Sequence, residues 1–254
     1  MNLNYEPTDT FTLTFGEQAE NHKGMEILGD GLREGFTKDE LLEAKEILEE
    51  TYDVDCEFVE MKYDNEEASV LIARKGIDAL LKKPQSNKEV YATLKALEWD
   101  TKALMYGRVV NKNARHNLCF GLENREPEYE NGKGRIVEFP EDISTVRRIL
   151  PKIFGRKAKN LQCEGNYYYD VNKCGIGYHG DTERNIVIGA RFGATIPLYF
   201  RWYENGERVT GDPVIIELHS GDLYAMSQKA TGSDWKRRKI PTLRHAAGCA
   251  KFVE

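Results

Sequence analysis

The sequence lacks several features that would each assign it to a particular class of protein. It has no run of apolar residues long enough to span a bilayer and no signal-peptide pattern at its N-terminus. It has only 5 cysteines, and none of them stands in a C-x-x-C pair. This spacing argues against a disulfide framework and a cysteine-based zinc site, and it favours a reducing compartment. We therefore expect an intracellular protein, cytoplasmic or nuclear, with no membrane partner.

The chain also lacks an overall positive charge, since its formal net charge is −6. Residues 1–100 carry 11 Lys and Arg against 24 Asp and Glu, which gives −13, whereas residues 101–254 carry 25 against 18, which gives +7. An acidic protein is a poor non-specific binder of nucleic acid, but one basic face is sufficient for binding. Two interpretations of the basic half stay open: a solvated surface or a face that contacts phosphate.

The change in charge coincides with a change in pattern. Residues 1–104 are acidic and include a capping-box helix start at Thr37 and Glu40. We predict that they form an acidic α+β extension that packs on the core and carries no chemistry of its own. Residues 105–254 would form the main domain, within a chain long enough to bury a sizeable core.

Short strands with turn signals between them dominate the second half of the chain. An Asn205-Gly206 pair is a strong hairpin signal among them. Many short strands with evenly spaced turns are typical of a sandwich or barrel, including the jelly roll. We therefore predict an α+β protein with a jelly-roll core and flanking helices. The predicted strands cover residues 161–169, 175–179, 185–192, 194–202, 214–218, 222–226, 242–245 and 249–253.

An H-x-D pair, His179 and Asp181, lies in this series of strands. Residues i and i+2 of a strand project from the same face, so both side chains can point at one ion. His245 stands in a late strand before small residues, and a late strand that pairs beside the first would supply a third ligand. Two histidines and one carboxylate on one face of a metal are the ligands of non-haem Fe(II) oxygenases. The alternative is a non-catalytic jelly-roll binding module that holds a structural metal or nothing.

Several motifs, in order and spacing, resemble the AlkB-like branch of the Fe(II)/2-oxoglutarate dioxygenases. They are N-x-Y at Asn166-Tyr167-Tyr168, the H-x-D, L-x-x-G-D from Leu218 to Asp222, and His245 followed by a small residue. Residues 107–121 also resemble the lysine- and arginine-containing stretch that covers the flipped base in AlkB enzymes. The resemblance covers about residues 105–254.

The resemblance implies a double-stranded β-helix and a defined chemistry. His179, Asp181 and His245 would bind Fe(II), and Asn166 and Tyr168 would hydrogen-bond 2-oxoglutarate. Cleavage of dioxygen, coupled to decarboxylation of 2-oxoglutarate, would hydroxylate a substrate C–H bond. The metal and the cosubstrate carry the hard chemistry, while the protein positions the reactants and excludes water.

One departure from the family concerns the far carboxylate of 2-oxoglutarate. AlkB-like enzymes have an R-x-N-x-T-x-R motif after the late histidine, and none follows His245 here. The carboxylate still needs a cation, ideally a bidentate arginine. Arg191, on the strand after H-x-D, is the first candidate, because related oxygenase branches place a basic residue there. Lys251 and Arg244, and then Arg201, are weaker candidates.

The substrate most compatible with the resemblance is a nucleic-acid base, by oxidative dealkylation or base hydroxylation. An enzyme that acts on a base in a duplex must extrude it, and needs stacking aromatics and phosphate contacts. A basic loop, residues 228–239, should rim the metal pocket. Protein side chains and small metabolites remain alternative substrates. The predicted substrate-binding residues are Lys112, Arg115, Tyr178, Trp235 and Arg237.

Overall fold

The computed structural model describes residues 7–254. Its helices are α1 (Lys38–Tyr52), α2 (Gly76–Leu81), α3 (Ser86–Ala96), α4 (Glu141–Phe154), α5 (Gln228–Thr231) and α6 (Ala250–Val253). Its first strands are β1 (Thr10–Gly16), β2 (Ala19–Glu20), β3 (Ile27–Leu28), β4 (Cys56–Tyr63), β5 (Glu66–Ala73), β6 (Lys102–Met105), β7 (Arg108–Asn111), β8 (His116–Gly121) and β9 (Ile136–Glu138). Then follow β10 (Gln162–Tyr168), β11 (Gly175–His179), β12 (Val187–Gly193), β13 (Leu198–Glu204), β14 (Glu207–Arg208), β15 (Val214–Ile216), β16 (Leu223–Met226) and β17 (Thr242–Gly248).

Two antiparallel sheets form most of the fold. The larger is an eight-stranded sheet in the order β4-β5-β16-β12-β1-β10-β8-β9, in which only β8 and β9 pair in parallel. The smaller is a five-stranded sheet in the order β11-β17-β13-β14, with β15 also paired to β13. The predicted α+β class, rich in short strands, is therefore confirmed.

None of the helices between residues 7 and 254 has the length and apolarity that a membrane crossing requires.

The large sheet is buried on both faces. Helices α1 to α4 cover one face, and the small sheet covers part of the other. Strand β12 shows how this arrangement distributes side chains: Ile188, Ala190 and Phe192 pack against the helical layer. The alternate residues Val187 and Arg191 line a cavity on the opposite side. Because side chains alternate between the two faces of a strand, Arg191 is directed away from the helical layer and is buried in the cavity between the sheets.

Strand β1 follows the same rule. Phe11, Leu13 and Phe15 belong to the core under the helices, and Thr12 and Thr14 line the cavity on the other face. The strand is hydrogen-bonded on both sides, to β10 and to β12. A residue of β1 therefore has neighbours on two strands that lie at least 146 positions away in the sequence.

Three strands from the N-terminal part of the chain belong to the large sheet. Strand β1 lies inside it, and the β4–β5 hairpin extends it by pairing with β16. The predicted extension, residues 1–104, therefore supplies strands to the sheet rather than packing on it from outside. The boundary between residues 1–104 and residues 105–254 stays a prediction. The order of strands in a sheet depends on segments that are far apart in the sequence. An abrupt change in charge along the chain therefore does not reveal which strands pair.

The C-terminal residues differ from the prediction. Strand β17 does not end at His245 but continues to Gly248, where φ is +124° and a side chain would collide with the backbone of Cys174. The residues predicted as a final strand, 249–253, form the short helix α6 instead. The small residues after His245 allow β17 to pair closely with β11 and β13 on its two sides.

Candidate metal centre

The structure brings the three predicted ligands together. Ligand atoms of His179, Asp181 and His245 all lie within 4.8 Å of one another. Oδ1 of Asp181 lies 3.6 Å from Nε2 of His179 and 3.6 Å from Nε2 of His245. The two imidazole rings are 4.4 Å apart between centroids. This arrangement can close around a single ion.

Strand pairing explains why these residues meet. His179 and His245 stand directly opposite each other on β11 and β17, after an irregularity between Ile176 and His179. Asp181 follows β11, and its backbone N–H donates to the carbonyl oxygen of Thr231 at 3.0 Å. Between the two ligands, Gly180 lies so close to the next loop that a Cβ would stand 1.9 Å from the Gly232 carbonyl oxygen. Glycine in the middle of H-G-D is therefore required by packing.

The protonation states suit a divalent cation. Burial, together with the charge of the neighbouring His245, lowers the pKa of His179 to about 4, and burial lowers that of His245 to about 4. Both imidazoles are therefore neutral at pH 7 and can offer a lone pair. Burial raises the pKa of Asp181 to about 6, and the Arg184 guanidinium opposes the rise. Asp181 is thus mostly a carboxylate at neutral pH.

The orientation of His179 is fixed by a second contact. Its Nδ1 lies 2.8 Å from the carbonyl oxygen of Gly177. Because a carbonyl oxygen only accepts, Nδ1 must carry the proton, which leaves the lone pair on Nε2, the atom that faces Asp181. Two neutral imidazoles and one carboxylate on adjacent strands fit Fe(II) or a related divalent metal, with room for further ligands.

The three ligands line a cavity of about 400 Å³ that extends between the two sheets. Arg191 lines the same cavity and is 1% exposed, with no hydrogen-bond partner for Nε or Nη1 among the described residues. Thr12 stands directly opposite Arg191 on β1, and its buried hydroxyl also has no partner there. A buried charge without a counter-ion is costly. This part of the cavity is therefore suited to an anion.

Comparison with known proteins places the chain in a family without assigning a chemistry. No family model matches the sequence. The chain is 46% identical over 256 residues to the uncharacterized protein R156 of Acanthamoeba polyphaga mimivirus, and the match covers 97% of this chain and 98% of that protein. This chain belongs to the family of that mimivirus protein.

The two residues predicted to hydrogen-bond 2-oxoglutarate both line the cavity on β10. Asn166 and Tyr168 are 8% and 4% exposed. The Asn166 side-chain oxygen already accepts two hydrogen bonds, from Nε of Arg115 at 2.7 Å and from Nδ2 of Asn117 at 2.6 Å. Its amide nitrogen has only a long contact, 3.3 Å, to Oε1 of Glu164. The nitrogen is therefore the atom of Asn166 that has capacity for a ligand.

The weaker candidates for the far carboxylate do not line the cavity. Lys251 is exposed on α6, where its Nζ lies over the Phe252 ring. Arg244 is adjacent to His245 and therefore points to the other face of β17, where its guanidinium carbon lies 3.8 Å from the centroid of Tyr203. Arg201 donates from Nη1 to the Gly211 carbonyl oxygen at 2.7 Å. Among the four predicted cations, Arg191 alone lines the metal cavity.

The predicted substrate-binding residues are divided between the cavity and other places. Arg115 and Trp235 line the cavity. Tyr178 lies on the opposite face of β11 from His179, beside the guanidinium groups of Arg201 and Arg208. Arg237 is exposed in the loop after Trp235, outside this cavity. The alternation of side chains along β11 explains why Tyr178 does not face the metal ligands.

Lys112 was predicted to contact phosphate, and its position is incompatible with that role. It is 9% exposed, and its Nζ donates to Oδ1 of Asn21 at 2.7 Å. Burial lowers the pKa of the Lys112 ammonium to about 8. Asn21 in turn donates from Nδ2 to Asp100 at 2.9 Å. Lys112 therefore fixes the loop after β2, which forms one wall of the cavity, instead of facing solvent.

Sequence reasoning missed the N-terminal and acidic contributions to the cavity. One signal was available: residues 10–15 alternate threonine with apolar residues, which is the pattern of a strand with one polar face. The other missed groups come from β2 and the loop after it, from β10, from the loop after H-x-D and from β16, and no local pattern marks them. The missed lining residues are Thr12, Thr14, Glu20, Asn21, His22, Lys23, Glu164, Glu183, Arg184 and Tyr224.

Proposed function

We propose that this protein is an Fe(II)- and 2-oxoglutarate-dependent dioxygenase of the AlkB-like type that hydroxylates a C–H bond, with a nucleic-acid base as the favoured substrate. One observation carries the proposal: a His–Asp–His cluster and a buried arginine without a counter-ion line the same cavity. A metal site alone would be compatible with many functions. 2-Oxoglutarate must bind the metal and at the same time place its far carboxylate in an anion site. A cavity that contains both sites matches this cosubstrate.

The ligand set favours iron-type chemistry. His179, Asp181 and His245 would hold the metal through two imidazole nitrogens and one carboxylate oxygen, which leaves further coordination positions open. Fe(II) bound there supplies the activation of dioxygen. In the overall reaction 2-oxoglutarate, dioxygen and a C–H bond give succinate, carbon dioxide and an alcohol, with one oxygen atom in succinate and one in the alcohol.

Arg191 would bind the far carboxylate of 2-oxoglutarate. A guanidinium can hold a carboxylate through two parallel N–H groups, Nη2 together with Nε or with Nη1, and both Nε and Nη1 of Arg191 have no partner among the described residues. The Thr12 hydroxyl, opposite Arg191 on β1, would donate a further hydrogen bond. In this arrangement a strand next to H-x-D provides the arginine that AlkB-like enzymes carry after the late histidine.

The architecture supports a double-stranded β-helix. Two antiparallel sheets face each other, and the metal ligands come from paired strands of the smaller one, β11 and β17. The cavity opens between the sheets, and apolar side chains such as Leu198 and Met226 line its interior. Those side chains would exclude water from the reaction.

The first test uses the visible absorption of the complex between the metal and the cosubstrate. Anaerobic addition of Fe(II) and then 2-oxoglutarate to the metal-free protein should produce a weak visible metal-to-ligand charge-transfer band. We expect Asp181→Ala to abolish the band, because the carboxylate ligand is lost, and Asp212→Ala, an exposed loop position, to retain it. Iron binding without a band would contradict the 2-oxoglutarate part of the proposal. No metal binding at all would favour the non-catalytic binding module.

A run of four cations beside the cavity favours a polyanionic substrate. Residues 236–239 read Lys-Arg-Arg-Lys, are exposed, and form no salt bridge with any residue of the described chain. They directly follow Trp235, which lines the metal cavity. Phosphates bound at this loop would lie next to an indole that can stack on a base.

The substrate class can be tested by the salt dependence of oligonucleotide binding. We expect the triple change Lys236→Gln, Arg237→Gln and Lys239→Gln to weaken binding and to reduce the slope of log K against log salt by roughly one for each lost phosphate contact. A matched control removes three exposed lysines remote from the cavity: Lys82→Gln, Lys83→Gln and Lys88→Gln. Equal effects of the two triple variants, or no oligonucleotide binding, would favour a protein side chain or small metabolite as substrate.

A further inference from the structure

The two oxygens of the Asp181 carboxylate have different surroundings. Oδ1 faces the imidazoles and lies 3.6 Å from Nε2 of both His179 and His245. Oδ2 forms an ion pair with Arg184, whose Nε lies 3.7 Å away and itself donates to Oε1 of Glu183 at 3.2 Å. One oxygen is therefore directed at the metal position and the other at a fixed positive charge.

Arg184 is itself held rigidly. It is 2% exposed, and its Nη2 donates to Oε2 of Glu164 at 2.6 Å and to Oε1 of Glu183 at 2.7 Å. Oε2 of Glu164, on β10, also accepts the backbone N–H of Glu20 at 3.1 Å. The guanidinium thus joins the metal loop to β10 and, through Glu164, to β2.

The chain just after Arg184 is fixed as well. Glu17 is fully buried, and its carboxylate accepts the backbone N–H groups of Asn185 at 2.6 Å and Ile186 at 2.9 Å. On the other side, the Asp181 N–H is bonded to Thr231. The segment that carries Asp181 and Arg184 therefore has hydrogen bonds at both ends, and Arg184 has little freedom to turn away.

We infer that Arg184 is a positioning residue that holds Asp181 as a one-oxygen ligand, through Oδ1, and so keeps coordination positions free for a chelating cosubstrate. The inference rests on the proposed metal site. A carboxylate that is free to rotate can bind a metal through both oxygens and occupy a second position. Groups that orient a metal ligand in this way typically contribute 10- to 100-fold to metal affinity, as an order of magnitude.

The direction in which metal affinity changes when Arg184 is replaced distinguishes positioning from simple electrostatics. Arg184 is a positive charge close to the metal position, so by Coulomb's law alone its removal would tighten the binding of a divalent cation. Loss of positioning would weaken binding instead, because the metal would then have to order a mobile carboxylate, and a second oxygen that joined the metal would appear as a changed Co(II) spectrum. A lysine at this place keeps the charge but lacks the planar fork that contacts several carboxylates at once.

The experiment measures the Kd of the metal-free protein for Co(II), a probe with a visible spectrum, at about pH 8, where carboxyl groups are ionised. We expect Arg184→Met to bind Co(II) roughly 10- to 100-fold more weakly, with an altered spectrum, and Arg184→Lys to recover part of the loss. Arg135 supplies the matched control: it is also largely buried among carboxylates, Glu98, Asp100 and Glu126, none of which lines the metal cavity. Arg135→Met and Arg135→Lys should bind Co(II) like the wild type.

Each outcome decides one question. Co(II) binding by folded Arg184→Met that is unchanged or tighter, or weaker binding with an unchanged spectrum, would overturn the inference and leave the proposed function intact. If Arg184→Met does not fold, Arg184→Lys decides: wild-type affinity and spectrum overturn the inference, and weaker binding supports it. A wild-type protein that binds no divalent metal would overturn the proposed function and, with it, this inference.

Discussion

Replacement of His179 by alanine is expected to abolish 2-oxoglutarate turnover while the chain stays folded. The change removes one of three metal ligands, which should lower metal affinity by more than about a hundredfold, beyond the usual effect of an orienting group. The His179 side chain is 30% exposed, at the cavity rather than in the core. We therefore expect the free energy of unfolding to change by about 1 kcal/mol or less. Succinate formation and urea denaturation measure the two quantities.

His219 provides the control for this experiment. It is exposed in the turn before β16, and its Nδ1 lies 2.9 Å from the Thr195 hydroxyl, outside the metal cavity. His219→Ala should form succinate at the wild-type rate. Full turnover in folded His179→Ala would remove His179 from the metal site, and with it the H-x-D assignment.

The second large effect is expected at Arg191. Arg191→Met should weaken the binding of 2-oxoglutarate by about 2–5 kcal/mol, the usual result of removing one partner of a buried, hydrogen-bonded charge pair. That range corresponds to at least a roughly thirtyfold increase in Kd. Methionine fills part of the same volume without a charge, so the metal ligands should keep their positions. Titration of 2-oxoglutarate into the metal-loaded, anaerobic protein measures the affinity.

The same substitution should have an unusual effect on stability. In the protein without cosubstrate, Arg191 is a buried charge without a counter-ion among the described residues. Replacing a buried ion pair by well-packed apolar residues is often neutral or stabilising by about 1–4 kcal/mol, and a buried charge without a counter-ion is more costly still. We therefore expect Arg191→Met without cosubstrate to unfold at an equal or higher urea concentration than the wild type, although it binds 2-oxoglutarate poorly.

Arg201→Met is the matched control, because Arg201 lies on a neighbouring sheet but its guanidinium donates to Gly211 outside the cavity. It should bind 2-oxoglutarate normally. Unchanged affinity in Arg191→Met would instead point to Arg115 or Arg184, the other arginines that line the cavity. Loss of stability in Arg191→Met would show that the arginine has an internal partner and is not reserved for an anion.

Much of the site follows from short-range patterns in the sequence. The strand that carries His179 was predicted with the bounds that the structure gives β11, Gly175–His179. The period of two along a strand placed His179 and Asp181 together, and the same rule turns Tyr178 away from them. Arg115 and Trp235 also line the cavity, as do Asn166 and Tyr168, which only the resemblance to the AlkB-like enzymes indicated. The alternation along β11 depends on neighbours within a few residues, so the sequence alone is sufficient to indicate it.

The misplaced residues share one cause. Lys112 was predicted to bind substrate, yet it is enclosed by Asn21 and neighbouring groups from distant segments. Lys251 was placed on a last strand that the chain does not form. In both cases the surroundings of the lysine depend on segments that are remote in sequence. The composition of the neighbouring residues gives no information about which distant segments will lie beside it.

The sequence by itself determined the types and the order of the candidate metal ligands and the strand-rich α+β class, because these are set by local periodicity and by side-chain chemistry. Only the tertiary structure decided which residues complete the cavity. Strand β1 lies between β10 and β12, and this order places Thr12 opposite both Asn166 and Arg191. The tertiary structure also decided which face of β12 meets the cavity. A strand that is buried on both sides has no polar face that would mark its orientation in the sequence. Pairing between distant strands is set by the packing of the whole core, and that information is not contained in any one stretch of the chain.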